Sequence, residues 1–181
     1  MRPTRRLAPD HGHVAAVLAG GPRQPDPDDG LQHRPSGTAH DELASAASGP
    51  ALRCGYRLDT VADRRPASAA AGAIGRHAFS LEAADQLVSS RLARLGFVED
   101  ARAPSVAIDV RQLYIAQNLS TKIPVAVYAV AVDGGPADVL RSDVASMNWN
   151  GTDQEGLRAL SRAMADVERQ LVDRLNSRCT A

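Results

Sequence analysis

The sequence predicts an α+β fold of two layers, in which two helices cover one face of a mostly antiparallel sheet of about four strands. From about Tyr56 onward, stretches of alternating apolar residues are interleaved with two stretches of helical periodicity, in the order β-α-β-β-β-α. The last three strands follow one another across short connections, which favours antiparallel pairing. Each helix has one apolar stripe, and the sheet is the surface available to cover it.

The first helix is predicted from Leu81, Ala84, Val88, Leu92 and Leu95, which recur at intervals of three or four residues. Ser80 is in a favourable position to cap its start, and Gly96 supplies the residue type that ends helices.

The last helix is predicted to open with the capping box Thr152-Asp-Gln-Glu155. Its apolar stripe comprises Leu157, Leu160, Met164, Val167, Leu171, Val172 and Leu175. Each large apolar side chain contributes roughly 1.5–3 kcal/mol when buried, so we expect this stripe to be buried against the sheet.

Four strands are expected, at Tyr56–Ala62, Val106–Ala116, Val125–Val132 and Val139–Trp149. The third is apolar on both faces, which indicates a central position in the sheet. Ala67–Arg76 is rich in small residues, and we expect it to be a loop that includes Gly72-Ala-Ile-Gly75.

The N-terminal third differs in composition. Seven of the 11 prolines lie in the first 50 residues, which contain no aromatic residue. So few apolar side chains cannot offset the roughly 1–2 kcal/mol per residue that ordering a backbone costs. We therefore expect a disordered tail over residues 1–53, a domain over 54–177 and a short C-terminal tail over 178–181.

The N-terminus resembles an export signal only at its basic start, because Pro9 and Asp10 interrupt the apolar stretch that should follow. Leu52-Arg53-Cys54 is similarly incomplete as a lipid-attachment site. We expect the chain as written to lack a working signal, although lipidation of Cys54 stays open.

Composition excludes several classes of function. The formal net charge is zero, which argues against a nucleic-acid binder. Cys54 and Cys179 are too few for a disulfide scaffold or a four-cysteine zinc site. Four histidines of the predicted tail form no preorganised metal site: His11, His13, His33 and His40. We expect no metal, no cofactor and, because no nucleophile lies beside a base, no enzymatic activity.

Two candidate sites remain. Asp63 and Arg65, at the end of the first strand, are expected to form a structural ion pair that holds the adjoining loop. Tyr114, Tyr128 and Trp149 lie on predicted strands and form a candidate patch for a partner, because Tyr and Trp favour interfaces.

Several short motifs occur in a consistent order. They are Val61-Ala-Asp63-Arg-Arg65-Pro66, Gly72-Ala-Ile-Gly75, Leu95-Gly96-Phe97-Val98 and Val106-Ala-Ile-Asp-Val-Arg-Gln-Leu-Tyr114. Over residues 56–176 this pattern resembles the YajG-like bacterial envelope lipoproteins. The resemblance implies a non-enzymatic domain facing the periplasm, associated with the outer membrane through a lipid anchor, which binds an envelope protein or lipid component. The anchor cysteine and its apolar leader are not where that family has them, which leaves a cytoplasmic location open.

Two alternatives stay open. The layout is also similar to the auxiliary lipoproteins of ABC-type lipid transport systems, which would make the chain an accessory subunit. A small hydrolase using His77 with Asp63 is the alternative from the enzyme class.

Overall fold

The computed structural model describes residue 43 and residues 49–66, 72–74, 77–79, 81, 83–117, 121–145 and 153–179. It has the predicted α+β architecture: a mixed sheet forms one layer and two helices pack on one of its faces. Within the described residues, no helix combines the length and apolarity needed to cross a membrane.

The sheet contains six strands in the described residues. They are β1 (Arg57–Asp63), β2 (Gly72–Ile74), β3 (His77–Phe79), β4 (Ser105–Gln117), β5 (Lys122–Val132) and β6 (Asp138–Arg141). The spatial order is β3-β2-β4-β5-β6, and β1 also pairs with β4. Strands β4, β5 and β6 are antiparallel, as predicted, whereas β1 runs parallel to β4.

The predicted loop over Ala67–Arg76 is wrong in part. Gly72–Ile74 and His77–Phe79 form an antiparallel hairpin, and Gly72 pairs with Ile115 of β4. The strands are only three residues long, too short to show the alternation by which sequence analysis detects a strand.

Strand β4 contains an irregularity in its pairing with β5. Val110 pairs with Tyr128 and Gln112 pairs with Val127, so Arg111 is the extra residue of a β-bulge. The bulge shifts the alternation by one residue, and consequently both Val110 and Leu113 face the helices.

Helix α1 (Ala84–Leu92) continues into a 3-10 turn (Ala93–Leu95). The predicted cap at Ser80 is wrong, because the residue before the helix is Ala83, with a left-handed φ of 49° and no side-chain cap. The predicted stop is correct: Gly96 has a φ of 91°, which glycine adopts without steric cost.

Helix α2 (Asp153–Asn176) begins directly after Thr152, which lies outside the described residues. Its predicted stripe packs against the sheet: Leu157 is partly buried and the other members are fully buried. The predicted strand Val139–Trp149 is shorter than expected, since β6 ends at Arg141 and residues 142–145 are not a strand; residues 146–149 lie outside the described part.

Described residues on either side of the predicted boundaries at 54 and 177 also contact the core. Leu43 is 1% exposed within the core. Leu52 packs against the core and its backbone N–H donates to the Leu95 carbonyl at 2.8 Å. Cys179 also packs against the core. The rest of the two predicted tails, residues 1–42, 44–48 and 180–181, lies outside the described residues.

Candidate functional site

A buried ion pair joins the two helices. Arg91 of α1 is 0% exposed and Glu168 of α2 is 3% exposed. The guanidinium donates from Nε to Oε1 at 2.5 Å and from Nη2 to Oε2 at 2.8 Å, the two-pronged geometry that suits arginine and a carboxylate. The pair fixes α1 against α2 at one register.

The same guanidinium reaches two further groups. Its Nη1 donates to the hydroxyl of Ser161 at 3.3 Å and to the main-chain carbonyl of Leu43. We call these four residues, Leu43, Arg91, Ser161 and Glu168, the Arg91 cluster. It connects three separate stretches of chain inside the core.

The phenol of Tyr128 lies in the electrostatic field of this cluster. Burial is the main cause that raises the pKa of Tyr128 far above its ordinary value, and the charge of Glu168 adds to the shift. Its hydroxyl is buried without a hydrogen-bond partner in the described part of the chain. Tyr128 is therefore neutral at physiological pH and does not act as a proton donor to solvent.

Residues 51–56 are hydrogen-bonded to the C-terminal end of α2. The Arg53 backbone N–H donates to Asn176 Oδ1 at 2.8 Å, and the Asn176 amide donates to the Ala51 carbonyl at 3.3 Å. The buried Tyr56 hydroxyl donates to the Leu175 carbonyl at 3.1 Å.

A disulfide between Cys54 and Cys179 completes this attachment, with Cα atoms 6.0 Å apart. It links positions 125 residues apart in sequence, almost the full length of the domain. Cysteine count alone did not predict it, because nothing in the sequence brings these two positions together.

The structure brings Asp63 and Arg65 together. Arg65 donates from Nε and Nη2 to the two carboxylate oxygens of Asp63, at 2.9 and 2.7 Å. The hydrogen bonds from Arg65 lower the pKa of Asp63, against the opposing effect of burial. Arg65 Nη2 also donates to the Leu81 carbonyl at 2.7 Å, so the pair ties together the two ends of the segment that carries the β2–β3 hairpin.

The predicted aromatic patch is not one surface. Tyr128 is fully buried on the helix face of the sheet. Tyr114 pairs with Val125, on the opposite face, and is half-buried. Trp149 lies outside the described residues. The strand pattern alone did not distinguish the two faces, because the bulge at Arg111 shifts their alternation.

The two residues of the alternative hydrolase are Asp63 and His77. Asp63 is engaged by Arg65, and His77 lies in β3 with its side chain outside the description. The described residues contain no group of three or more His, Cys, Asp or Glu side chains suited to a metal ion.

Sequence analysis missed the Arg91 cluster, although the sequence contained a signal for it. Arg91 follows Leu87 and Val88 by four and three residues, the spacing of the apolar stripe. Glu168 likewise lies four residues after Met164 and three before Leu171. Two opposite charges at buried positions of two stripes indicate an ion pair, because an isolated buried charge is strongly unfavourable.

No family model matches the chain, and no curated protein matches it. Its fold has a distant likeness to the crystal structure of a Xanthomonas campestris protein of the DUF330 family, with a TM-score of 0.43 and 12% sequence identity. The likeness covers 68% of this chain and 87% of that one.

Proposed function

We propose that this chain is a non-enzymatic domain of the bacterial cell envelope, which binds a partner protein or another envelope component. The observation that carries the proposal is the Cys54–Cys179 disulfide. Disulfides persist in oxidising compartments such as the periplasm, whereas cytosolic reductants keep thiols reduced. The resemblance to envelope lipoproteins, found in other residues, points to the same compartment.

Three carboxylates with lowered pKa values are held by hydrogen bonds or ion pairs. Arginine partners lower the pKa of Asp63 and that of Asp138. Burial acts to raise the pKa of Asp166, but hydrogen bonds from the Asp143 backbone N–H, Arg169 and Gln170 lower it overall. A general acid at neutral pH needs the opposite shift. These carboxylates are held ionised, as in structural ion pairs.

The disulfide also bears on the lipid anchor. A cysteine sulfur in a disulfide is not free to be acylated, so Cys54 does not serve as the lipid-attachment residue while the bond exists. In this proposal Cys54 has a structural role, and any anchor is attached elsewhere.

The proposal is tested by thiol trapping in the native host. Cells expressing the tagged chain are fractionated, and each fraction is treated with a maleimide polymer before and after reduction. We expect the chain in the envelope fraction, with a mass shift that appears only after reduction. The Cys54→Ser/Cys179→Ser variant is the control and should never shift. A reduced chain confined to the cytosol would overturn the proposal.

The proposed binding to an envelope partner is tested by crosslinking in intact cells. We expect a defined envelope protein in the crosslinked product. Recovery of an ABC transporter component would assign the chain to the accessory-subunit alternative instead.

A further inference from the structure

The Cys54–Cys179 bond lies at the surface of the domain. Both cysteines are half-buried, and their chain neighbours Arg53, Gly55 and Arg178 are exposed. A disulfide forms when a thiolate attacks another disulfide, so an oxidant must be able to approach the pair. A partly exposed position at the surface meets this requirement without unfolding of the domain.

Asn176 contacts the chain on both sides of the bond. Its main-chain carbonyl accepts a hydrogen bond from the Cys179 N–H at 3.2 Å. Its side chain accepts from the Arg53 N–H at 2.8 Å and donates to the Ala51 carbonyl at 3.3 Å. One residue therefore holds Cys179 and the segment that leads into Cys54 in a fixed relation.

Further contacts hold the segment around Cys54 in place without involving a sulfur. The buried Tyr56 hydroxyl donates to the Leu175 carbonyl at 3.1 Å, and the Leu52 N–H donates to the Leu95 carbonyl at 2.8 Å. Because these hydrogen bonds do not depend on the disulfide, we expect them to persist after reduction. The reduced domain then keeps its two thiols close together.

The unfolded chain offers no such arrangement. The two cysteines are 125 positions apart, and a flexible chain of that length has a root-mean-square end-to-end distance on the order of 60 Å. In the folded domain their Cα atoms are 6.0 Å apart. The effective concentration of one thiol at the other is consequently far higher in the folded domain than in the unfolded chain.

We propose that the folded, reduced domain is a substrate for thiol–disulfide exchange, and that Asn176 is the positioning residue that presents Cys54 and Cys179 to the oxidant as a pair. The oxidant is the disulfide of a thiol oxidoreductase. One cysteine thiolate attacks this disulfide, which forms a mixed disulfide and releases one thiolate of the oxidant. The second cysteine of the chain then attacks the mixed disulfide and releases the other thiolate. The chain loses two electrons and two protons, and the oxidant becomes a dithiol.

The test uses the purified full chain in reduced form, with oxidised glutathione as the probe. Circular dichroism should show that the reduced chain is folded. The chain is equilibrated in defined mixtures of reduced and oxidised glutathione, quenched with acid and labelled with a maleimide polymer. The fraction of disulfide gives the effective concentration of the two thiols.

We expect this effective concentration to be at least about tenfold higher under native conditions than in concentrated urea, because the ratio of the two values measures how much the bond stabilises the fold. An unfolded reduced chain, or equal values in the two conditions, would overturn the proposal. Since the assay is performed on purified protein, its result does not depend on the cellular compartment or the partner of the proposed function.

The role of Asn176 is tested in the same assay. Asn176→Ala should lower the native effective concentration at least about threefold, the equivalent of one hydrogen bond, and leave the value in urea unchanged. Ser177→Ala is the matched control, because the Ser177 hydroxyl donates to the Arg174 carbonyl within the same helix end. It should leave both values unchanged. Asn176→Ser replaces Asn176→Ala if circular dichroism shows that the latter does not fold.

A second measurement separates positioning from stability. Asn176→Ala is also made in the Cys54→Ser/Cys179→Ser chain, and its free energy of unfolding is measured in urea. A loss of stability in that chain, with no change in the effective concentration of the thiols, would give Asn176 a structural role alone and contradict the proposal.

Discussion

Arg91 and Glu168, separated by 77 positions in sequence, form a bidentate ion pair inside a hydrophobic core. A buried pair of this kind contributes little net stability relative to apolar residues of the same shape, but removing one partner is costly. Its main effect is to define how the two helices meet, since any other register would leave both charges unpaired.

The first prediction concerns this pair. Glu168→Gln leaves the Arg91 cation without its counter-charge, and we expect the free energy of unfolding to fall by about 3–5 kcal/mol. Urea denaturation measures the change. The exposed pair Arg57–Asp59 is the matched control, and Asp59→Asn should change stability by at most about 0.5 kcal/mol. Equal effects of the two variants would contradict burial of the Arg91 cluster.

A second prediction concerns the disulfide. The bond closes a loop of more than 100 residues, so its loss should lower the free energy of unfolding by about 2–5 kcal/mol. Denaturation of the oxidised wild type is compared with that of Cys54→Ser/Cys179→Ser. Dithiothreitol should destabilise the wild type and leave the double variant unchanged; a reductant effect on both would point to another cause.

A third prediction concerns pH. Hydrogen bonds from Arg65 lower the pKa of Asp63 below its ordinary value of 3.8. The ionised form is therefore favoured in the folded state, and its contribution to stability is present above that value. This contribution is lost as the pH falls through the lowered folded-state pKa. The stability difference between wild type and Asp63→Asn should shrink in this acidic range, and a difference independent of pH would contradict the ion pair.

The fourth prediction compares two buried tyrosines. The Tyr56 hydroxyl donates to Leu175, so Tyr56→Phe should lower the free energy of unfolding by about 1 kcal/mol. The Tyr128 hydroxyl is buried with no partner among the described residues, so Tyr128→Phe should leave stability unchanged or raise it. Thermal unfolding of the two variants under one buffer measures the contrast. A larger loss for Tyr128→Phe would reverse the assignment.

The sequence predicted the layers of this fold because the features that form them are periodic. The stripe from Leu157 to Leu175 and the apolar run of β5 identified the last helix and the central strand, and most of their residues are buried. The β2–β3 hairpin escaped prediction because three-residue strands carry no measurable period. The parallel pairing of β1 with β4 depends on contacts that no local pattern describes.

The candidate site was predicted less completely. Asp63 and Arg65 were found because they are only two positions apart in sequence. The Arg91 cluster, the attachment of Leu43 and the Cys54–Cys179 bond join positions 48 to 125 residues apart, and they form only when the sheet places α1 and α2 side by side. Leu43 was assigned to a tail because its neighbours are polar, small or proline, which is a property of the segment and not of that one residue.

Cys54 and Cys179 are 125 positions apart in sequence, but their Cα atoms are 6.0 Å apart. The parts of the chain around these two residues therefore lie on the same side of the molecule, and the segments that flank Cys54 and Cys179 lie side by side. The same proximity makes the domain suitable for circular permutation. A short linker could join these segments, and new termini could be opened at the exposed turn around Gly134.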